Sequence, residues 1–300
     1  MERKSTALRK LLDGPQPIVC PCAYDCVSAR VVELAGFPAV MHGGFNTTAS
    51  MLGMPDVGVI SMAEMLLAAR HKAAAVDIPV LADIDDGFGK PLNVMRTIEE
   101  AIRSGLAGVY MEDQVLPKRC PSLGGGGVVS TEEMVQKLHA ARQITEAEDP
   151  DFVIIARTHA SLAVSFDEAL KRGVTYAQEG ADLIWVDLGY DESVREEVKA
   201  IVEKVAPHAH VVANMTEHVG RPMWTSDELF EMGCKLITYP LTLILTAAQA
   251  MTDVMQCLAE KGTTESMADR MMPVKDFRPI VKMERIHEME RQLEEPRDND

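Results

Sequence analysis

The chain has no apolar run of membrane-spanning length, no stretch that reads as a linker, and far fewer bases than acids. A spanning helix needs about 20 consecutive apolar residues, so a helical membrane protein is excluded. The opening Met1-Glu-Arg-Lys-Ser-Thr6 lacks the apolar core of a signal peptide, and the expectation is a cytoplasmic protein. Thirty Lys and Arg against 46 Asp and Glu leave a formal net charge of −16. Such an acid excess argues against nucleic acid or an anionic membrane surface as partner. An anionic small-molecule substrate would then need local positive charge, which makes each arginine near a pocket worth tracking. Paired CxxC spacing is missing too. Cys20, Cys22 and Cys26 cluster without the spacing or the histidine of a soft-metal site, and read as reduced thiols packed around a strand end.

What the chain does have is one unit repeated many times: a short apolar run, a polar or glycine-bearing turn, then a helical stretch. The strands are expected at Pro17–Cys20, Ala39–His42, Val80–Ile84, Gly108–Glu112, Phe152–Arg157, Leu183–Asp187, His210–Ala213 and Lys235–Tyr239. Eight such units without antiparallel hairpin signals predict a parallel sheet closed into a (β/α)8 barrel. Hydroxyl and carboxylate pairs at Ser61/Glu64, Ser130/Glu133, Ser165/Glu168 and Thr225/Glu228 read as capping boxes at helix starts. With 300 residues and 47% hydrophobic side chains, one large barrel domain over 1–300 accommodates the whole chain. Residues 241–294 hold more helix than closure needs, so at least one helix lies outside the basic barrel and suits packing on another subunit. The last residues read as a disordered tail.

In a barrel, chemistry belongs at the carboxyl ends of the strands. Those ends carry Asp83 and Asp85, Glu112 and Asp113, Arg157, Asp187, then Asn214 with Glu217. On a strand Asp83 and Asp85 would point the same way, and two like charges that close call for a cation; oxygen-only ligands suit Mg2+ or Mn2+ better than zinc. The alternative is that both aspartates cap a loop and the following helix. After the fourth strand, Lys118-Arg119-Cys120 leads into a glycine run. Flanking bases favour the thiolate of Cys120 and make it usable as an acid or base on a movable loop, against the bland reading of a surface loop with an incidental cysteine.

These residues resemble the isocitrate lyase and phosphoenolpyruvate mutase superfamily. The matching motifs are Tyr24-Asp25 with Ser28-Ala29, Gly43-Gly44 followed by Leu52-Gly-Met-Pro-Asp56, Asp83-Ile-Asp85-Asp86-Gly-Phe-Gly, Glu112-Asp-Gln, Lys118-Arg-Cys120, Ala156-Arg157-Thr158, Asn214-Met-Thr-Glu217 and Tyr239-Pro240. The branch it looks closest to is that of the methylisocitrate and dimethylmalate lyases. The resemblance implies a barrel whose last helix is exchanged between subunits of a homotetramer. It implies Mg2+ held by Asp83, Asp85, Glu112 and Asp56, and a catalytic set of Cys120, Arg119, Lys118 and Tyr24. Substrate would be bound by Gly43, Gly44, Arg157, Asp187, Asn214 and Glu217.

The chain departs from the family at His42, where a serine is usual, at Pro121-Ser122 in place of Gly-His, and at His159, where the family has Asp. Both histidines are read as satisfied strand-end residues, with ligand or tuning roles as the alternatives. Asp187 replaces a glutamate, and Leu245 stands where methylisocitrate lyases place an arginine, which favours a substituted malate over a tricarboxylate. The expected function is a Mg2+-dependent carbon–carbon lyase acting on a 2-hydroxydicarboxylate. The alternatives are hydrolysis of oxaloacetate or another 2-oxo diacid, and a non-catalytic metabolite-binding barrel.

Overall fold

The computed structural model describes residues 2–118, 126–189, 194–217 and 223–294. Two compact units divide the chain, Met1–Leu243 and Ile244–Asp300. In the first unit the strands are β1 (Ile18–Val19), β2 (Cys22–Ala23), β3 (Val40–His42), β4 (Val80–Asp83), β5 (Gly108–Glu112), β6 (Val153–Thr158), β7 (Leu183–Val186), β8 (His210–Asn214) and β9 (Cys234–Thr238). All pairings are parallel, β1 on β9 and β2 on β3. The expected first strand, Pro17–Cys20, is found as β1, and a second piece, β2, follows it beyond Pro21, which has no N–H to give a ladder. Across the break the Cys20 and Cys22 amides donate to the carbonyls of Ile237 and Tyr239 at 2.8 and 3.1 Å, so the two pieces act as one strand and the barrel closes.

The helices are α1 (Lys4–Asp13), α2 (Cys26–Leu34), α3 (Gly44–Leu52), α4 (Met62–Ala75), α5 (Pro91–Arg103), α6 (Thr131–Glu148), α7 (Ala160–Ala163), α8 (Phe166–Gln178), α9 (Val194–Val205), α10 (Ser226–Glu231), α11 (Thr242–Lys261), α12 (Val274–Phe277) and α13 (Met283–Glu294). Reciprocal boxes form at Ser61/Glu64 and Thr225/Glu228; Ser130 and Ser165 cap their helices from one side only. An unexpected box at Asp25/Ser28 starts α2.

Strand alternation divides the core in two. Tyr110, Leu183 and Trp185 face the barrel interior with Met41, Leu81 and Ile155, while Val109, Met111, Ile184 and Val186 pack outward against the helices. Helix α1, which periodicity alone does not announce, contributes Leu8 and Leu12 to the interior cluster. In the second unit α11, α12 and α13 expose apolar side chains that include Met251, Met255, Phe277, Ile286, Met289 and Leu293.

Candidate active site at the carboxyl rim

Asp83 ends β4, and the chain then leaves the sheet. Asp85 sits at φ +49°, a left-handed conformation more tolerable for Asp than for most residues. The turn is held by Asp83, whose Oδ1 accepts the Asp85 amide at 2.9 Å. The expectation that both aspartates share one face of a strand is thus corrected: an Asx turn, not strand alternation, places them together. The other oxygen of Asp83 accepts the Gly44 amide at 2.9 Å, at the first turn of α3, where the helix dipole favours negative charge. A Cβ at Gly44 would lie 2.7 Å from Asp83 Oδ2, so only glycine permits this approach.

The Lys118 ammonium lies among these acids. It pairs with Asp85, reaches Asp56 at 3.2 Å and lies 3.9 Å from Asp83. Lys118, expected beside Cys120 as a base favouring the thiolate, is only 3% exposed, and burial, which opposes its charge, is outweighed by Asp83, Asp85, Glu112 and Asp56, which hold its pKa above the ordinary lysine value. Burial raises the pKa of Asp85 and Asp56 despite Lys118, with Asp83 and Glu112 adding to the rise. Glu112 Oε1 is buried without a hydrogen-bond partner among the described residues. One ammonium facing Asp56, Asp83, Asp85 and Glu112 leaves net negative charge and a free oxygen, which fits a divalent cation with oxygen ligands. Among the described residues no three acidic, His or Cys side chains cage an ion by themselves. Mg2+ does not require that, since it keeps several waters and binds through one or two carboxylates.

Strand register builds the neighbouring end. Glu112 on β5 lies beside Arg157 on β6, which lies beside Trp185 on β7. Arg157 stacks 4.3 Å above the Trp185 ring, donates from Nε and Nη2 to Asp187 Oδ2 at 2.9 and 2.6 Å, and holds Nη1 3.3 Å from Glu112 Oε2. His159, one residue past β6, completes the group. Its Nε2 lies 2.9 Å from Glu112 Oε2 and its Nδ1 2.9 Å from Asp187 Oδ2. Burial disfavours its charged form, but Asp187 and Glu112 overcome that and lift it to about 9. Burial likewise pushes Glu112 and Asp187 up, yet the facing cations hold both below the ordinary carboxylate range: His159, Lys118 and Arg157 for Glu112, and Arg157 and His159 for Asp187. Behind this group Asp113 accepts from Thr158 Oγ1, the His159 amide, Arg172 and Tyr176 at 2.7–3.0 Å, which fixes the turn that carries His159.

Gly43, Gly44, Asp56, Asp83, Arg157, Asp187 and Asn214 line one cavity, with Phe45, Leu162, Trp185, Leu188 and Leu241 as its apolar wall. Asn214 Oδ1 has no partner among the described residues. Glu217 instead accepts from the Leu241 amide at 2.9 Å and from the Thr242 hydroxyl, bracing the start of α11. The Tyr24 amide donates to Ser28 Oγ at 3.0 Å, within the cap of α2. Arg119 and Cys120 lie outside the described residues. His42 is satisfied as read: it is buried in the helix layer, with Lys72 Nζ 2.7 Å from Nδ1 and Met65 Sδ 3.2 Å from Nε2. Cys20 and Cys22 are free, buried thiols, and Cys26 is free and half-buried. Two contributors escaped the sequence reading, Trp185 and Tyr110. Each stands two residues before an acid of the rim on the same strand face, which is a readable signal.

A family model described as phosphoenolpyruvate phosphomutase matches residues 8–259. The chain is 39% identical over 283 residues to 2,3-dimethylmalate lyase of Eubacterium barkeri, covering 94% of this chain and 96% of that one. Among solved structures it is similar to oxaloacetate acetylhydrolase in complex with 3,3-difluorooxalacetate, with a TM-score of 0.91 and 32% identity over 98% of both chains. It is similar also to phosphonopyruvate hydrolase in complex with oxalate and Mg2+, with a TM-score of 0.85, 28% identity, and coverage of 96% of this chain and 98% of that one.

Proposed function

The chain belongs to the phosphoenolpyruvate phosphomutase family, and from that premise we propose that it is a Mg2+-dependent carbon–carbon lyase cleaving a 2-hydroxydicarboxylate to a 2-oxo acid and a carboxylate. The observation that carries this reading is the set of four acids around Lys118, set directly beside Arg157 and an apolar wall. Asp83 and Asp85 would hold the ion, with Glu112 acting through water and Asp56 completing the shell. When bound, the ion supplies Lewis acidity to the substrate hydroxyl and its adjacent carboxylate. Arg157 grips the second carboxylate, and the Gly43 and Gly44 backbone with Asn214 orients it. The carbon–carbon bond at the hydroxyl-bearing carbon breaks as the hydroxyl gives its proton to a base of the acidic rim and becomes the oxo group. The electron pair left on the departing fragment takes a proton from the Cys120 thiol.

Arg157 is the only basic side chain on the cavity wall among the described residues, and the rest of that wall is largely apolar. Both features favour a malate with alkyl substituents over a tricarboxylate. A panel of malate analogues and methylisocitrate, assayed for 2-oxo acid release with and without EDTA, tests the reading. The expected result is release from an alkyl-substituted malate that EDTA abolishes. No metal-dependent product from any analogue overturns it. The similarity to oxaloacetate acetylhydrolase supports a second reading, hydrolysis of a 2-oxo diacid at the same site. The exposed apolar side chains of α11 and α13 support packing between subunits, here proposed as a homotetramer with its last helix exchanged; the proposed location is the cytoplasm. Light scattering should give four times the 32.9 kDa chain mass, and a monomer at working concentration would exclude it.

A further inference from the structure

We infer that His159 is a positioning residue whose ring, held between Glu112 and Asp187, decides which oxygen Glu112 offers to the metal and keeps Arg157 aimed at the substrate. The inference rests on the reading of Glu112 as part of the metal shell. His159 and Arg157 converge on the same two atoms, Glu112 Oε2 and Asp187 Oδ2. The sister oxygen of Asp187 is taken by the Trp185 indole N–H at 2.9 Å, so that carboxylate has no freedom to turn. The sister oxygen of Glu112, Oε1, is left without a hydrogen-bond partner among the described residues. Pinning Oε2 from two sides therefore presents Oε1, with its lone pairs free, as the atom available to the cation and its waters.

The ring itself is held. It is 3% exposed, and the residue's backbone amide donates to Asp113 Oδ1 at 3.0 Å. A five-membered ring with a nitrogen on each side bridges two carboxylates rigidly; an amide side chain of similar size has both its N–H donors on one nitrogen and cannot present a donor on each side. Without the bridge Glu112 can rotate, and Arg157 must satisfy both acids alone.

The test is calorimetric binding of oxalate at saturating Mg2+ to the wild-type protein and to His159→Ala and His159→Gln. Both variants are expected to bind oxalate roughly tenfold more weakly, the scale on which outer partners of a metal site act. Imidazole added to His159→Ala should restore affinity, whereas 1-methylimidazole, which has the same ring with one nitrogen blocked, should not. Unchanged oxalate affinity in both variants, even with a lowered Tm, would show that His159 serves packing alone and would overturn the inference. Equal rescue by the two imidazoles would also overturn it. If His159→Ala does not fold, His159→Gln decides. Wild-type protein that binds no oxalate in the presence of Mg2+ would take down the functional reading itself, and this inference with it.

Discussion

Arg157→Met is expected to lower kcat/KM for the dicarboxylate by about 10²–10³-fold, measured as the initial rate of 2-oxo acid release. Truncating one partner of a buried, hydrogen-bonded charge pair costs about 2–5 kcal/mol, and each 1.4 kcal/mol is a factor of ten. Arg157 is in that situation twice over, because Asp187 accepts from two of its nitrogens while a third lies within 3.3 Å of Glu112. Met preserves much of the stacking area over Trp185 but leaves both acids to His159, and the anionic substrate loses the only basic side chain on the described cavity wall. Arg157→Lys should fall between the two. An ammonium keeps the charge but cannot span Asp187 and Glu112 at once or lie flat on an indole. If Arg157→Met stays within about threefold of wild type, Arg157 is a structural cation and the anion grip lies elsewhere.

The parts of this site that a sequence exposes are those governed by local rules. Glu112 and Arg157 are legible because each closes an apolar strand, and parallel strands in register set them side by side. Asp83 and Asp85 are legible as a pair, but for a different reason from the one alternation gives, since a side-chain-to-backbone bond two residues long turns the chain at Asp83. Pro21 carries a readable warning that the first strand is interrupted. Lys118 is different. Its neighbour Arg119 is basic and suggests a role beside Cys120, but the ammonium meets Asp85, 33 positions earlier, once the chain passes from β4 to the far side of β5. His159 is visible in the sequence but its bridging role is not: it lies just past a strand end, where alternation says nothing, and its second carboxylate, Asp187, follows the next strand. Trp185 and Tyr110 were readable by period two, but an aromatic on an inward face reads first as core, which both also are.

Cys120→Ser is expected to reduce lyase turnover by about 10²–10⁴-fold, the range over which a positioned proton donor acts. The loss should fall on kcat, because in the proposed mechanism the thiol protonates the departing carbon after cleavage begins, while Arg157 and Asn214 still bind the substrate. A Ser hydroxyl has the same reach but holds its proton far more tightly than a thiol with a free pKa of about 8.5, so the electron pair on the departing fragment has no ready acid and the bond re-forms. Oxalate affinity at saturating Mg2+ should remain at the wild-type value, which separates lost chemistry from a disturbed site. The same variant decides between the two catalytic readings. Hydrolysis of a 2-oxo diacid uses water at the breaking bond, and a hydrolase independent of the thiol would keep most of its turnover on oxaloacetate as Cys120→Ser. Retained turnover on a 2-hydroxydicarboxylate would instead remove Cys120 from the catalytic set and move the proton donor to another group on the rim.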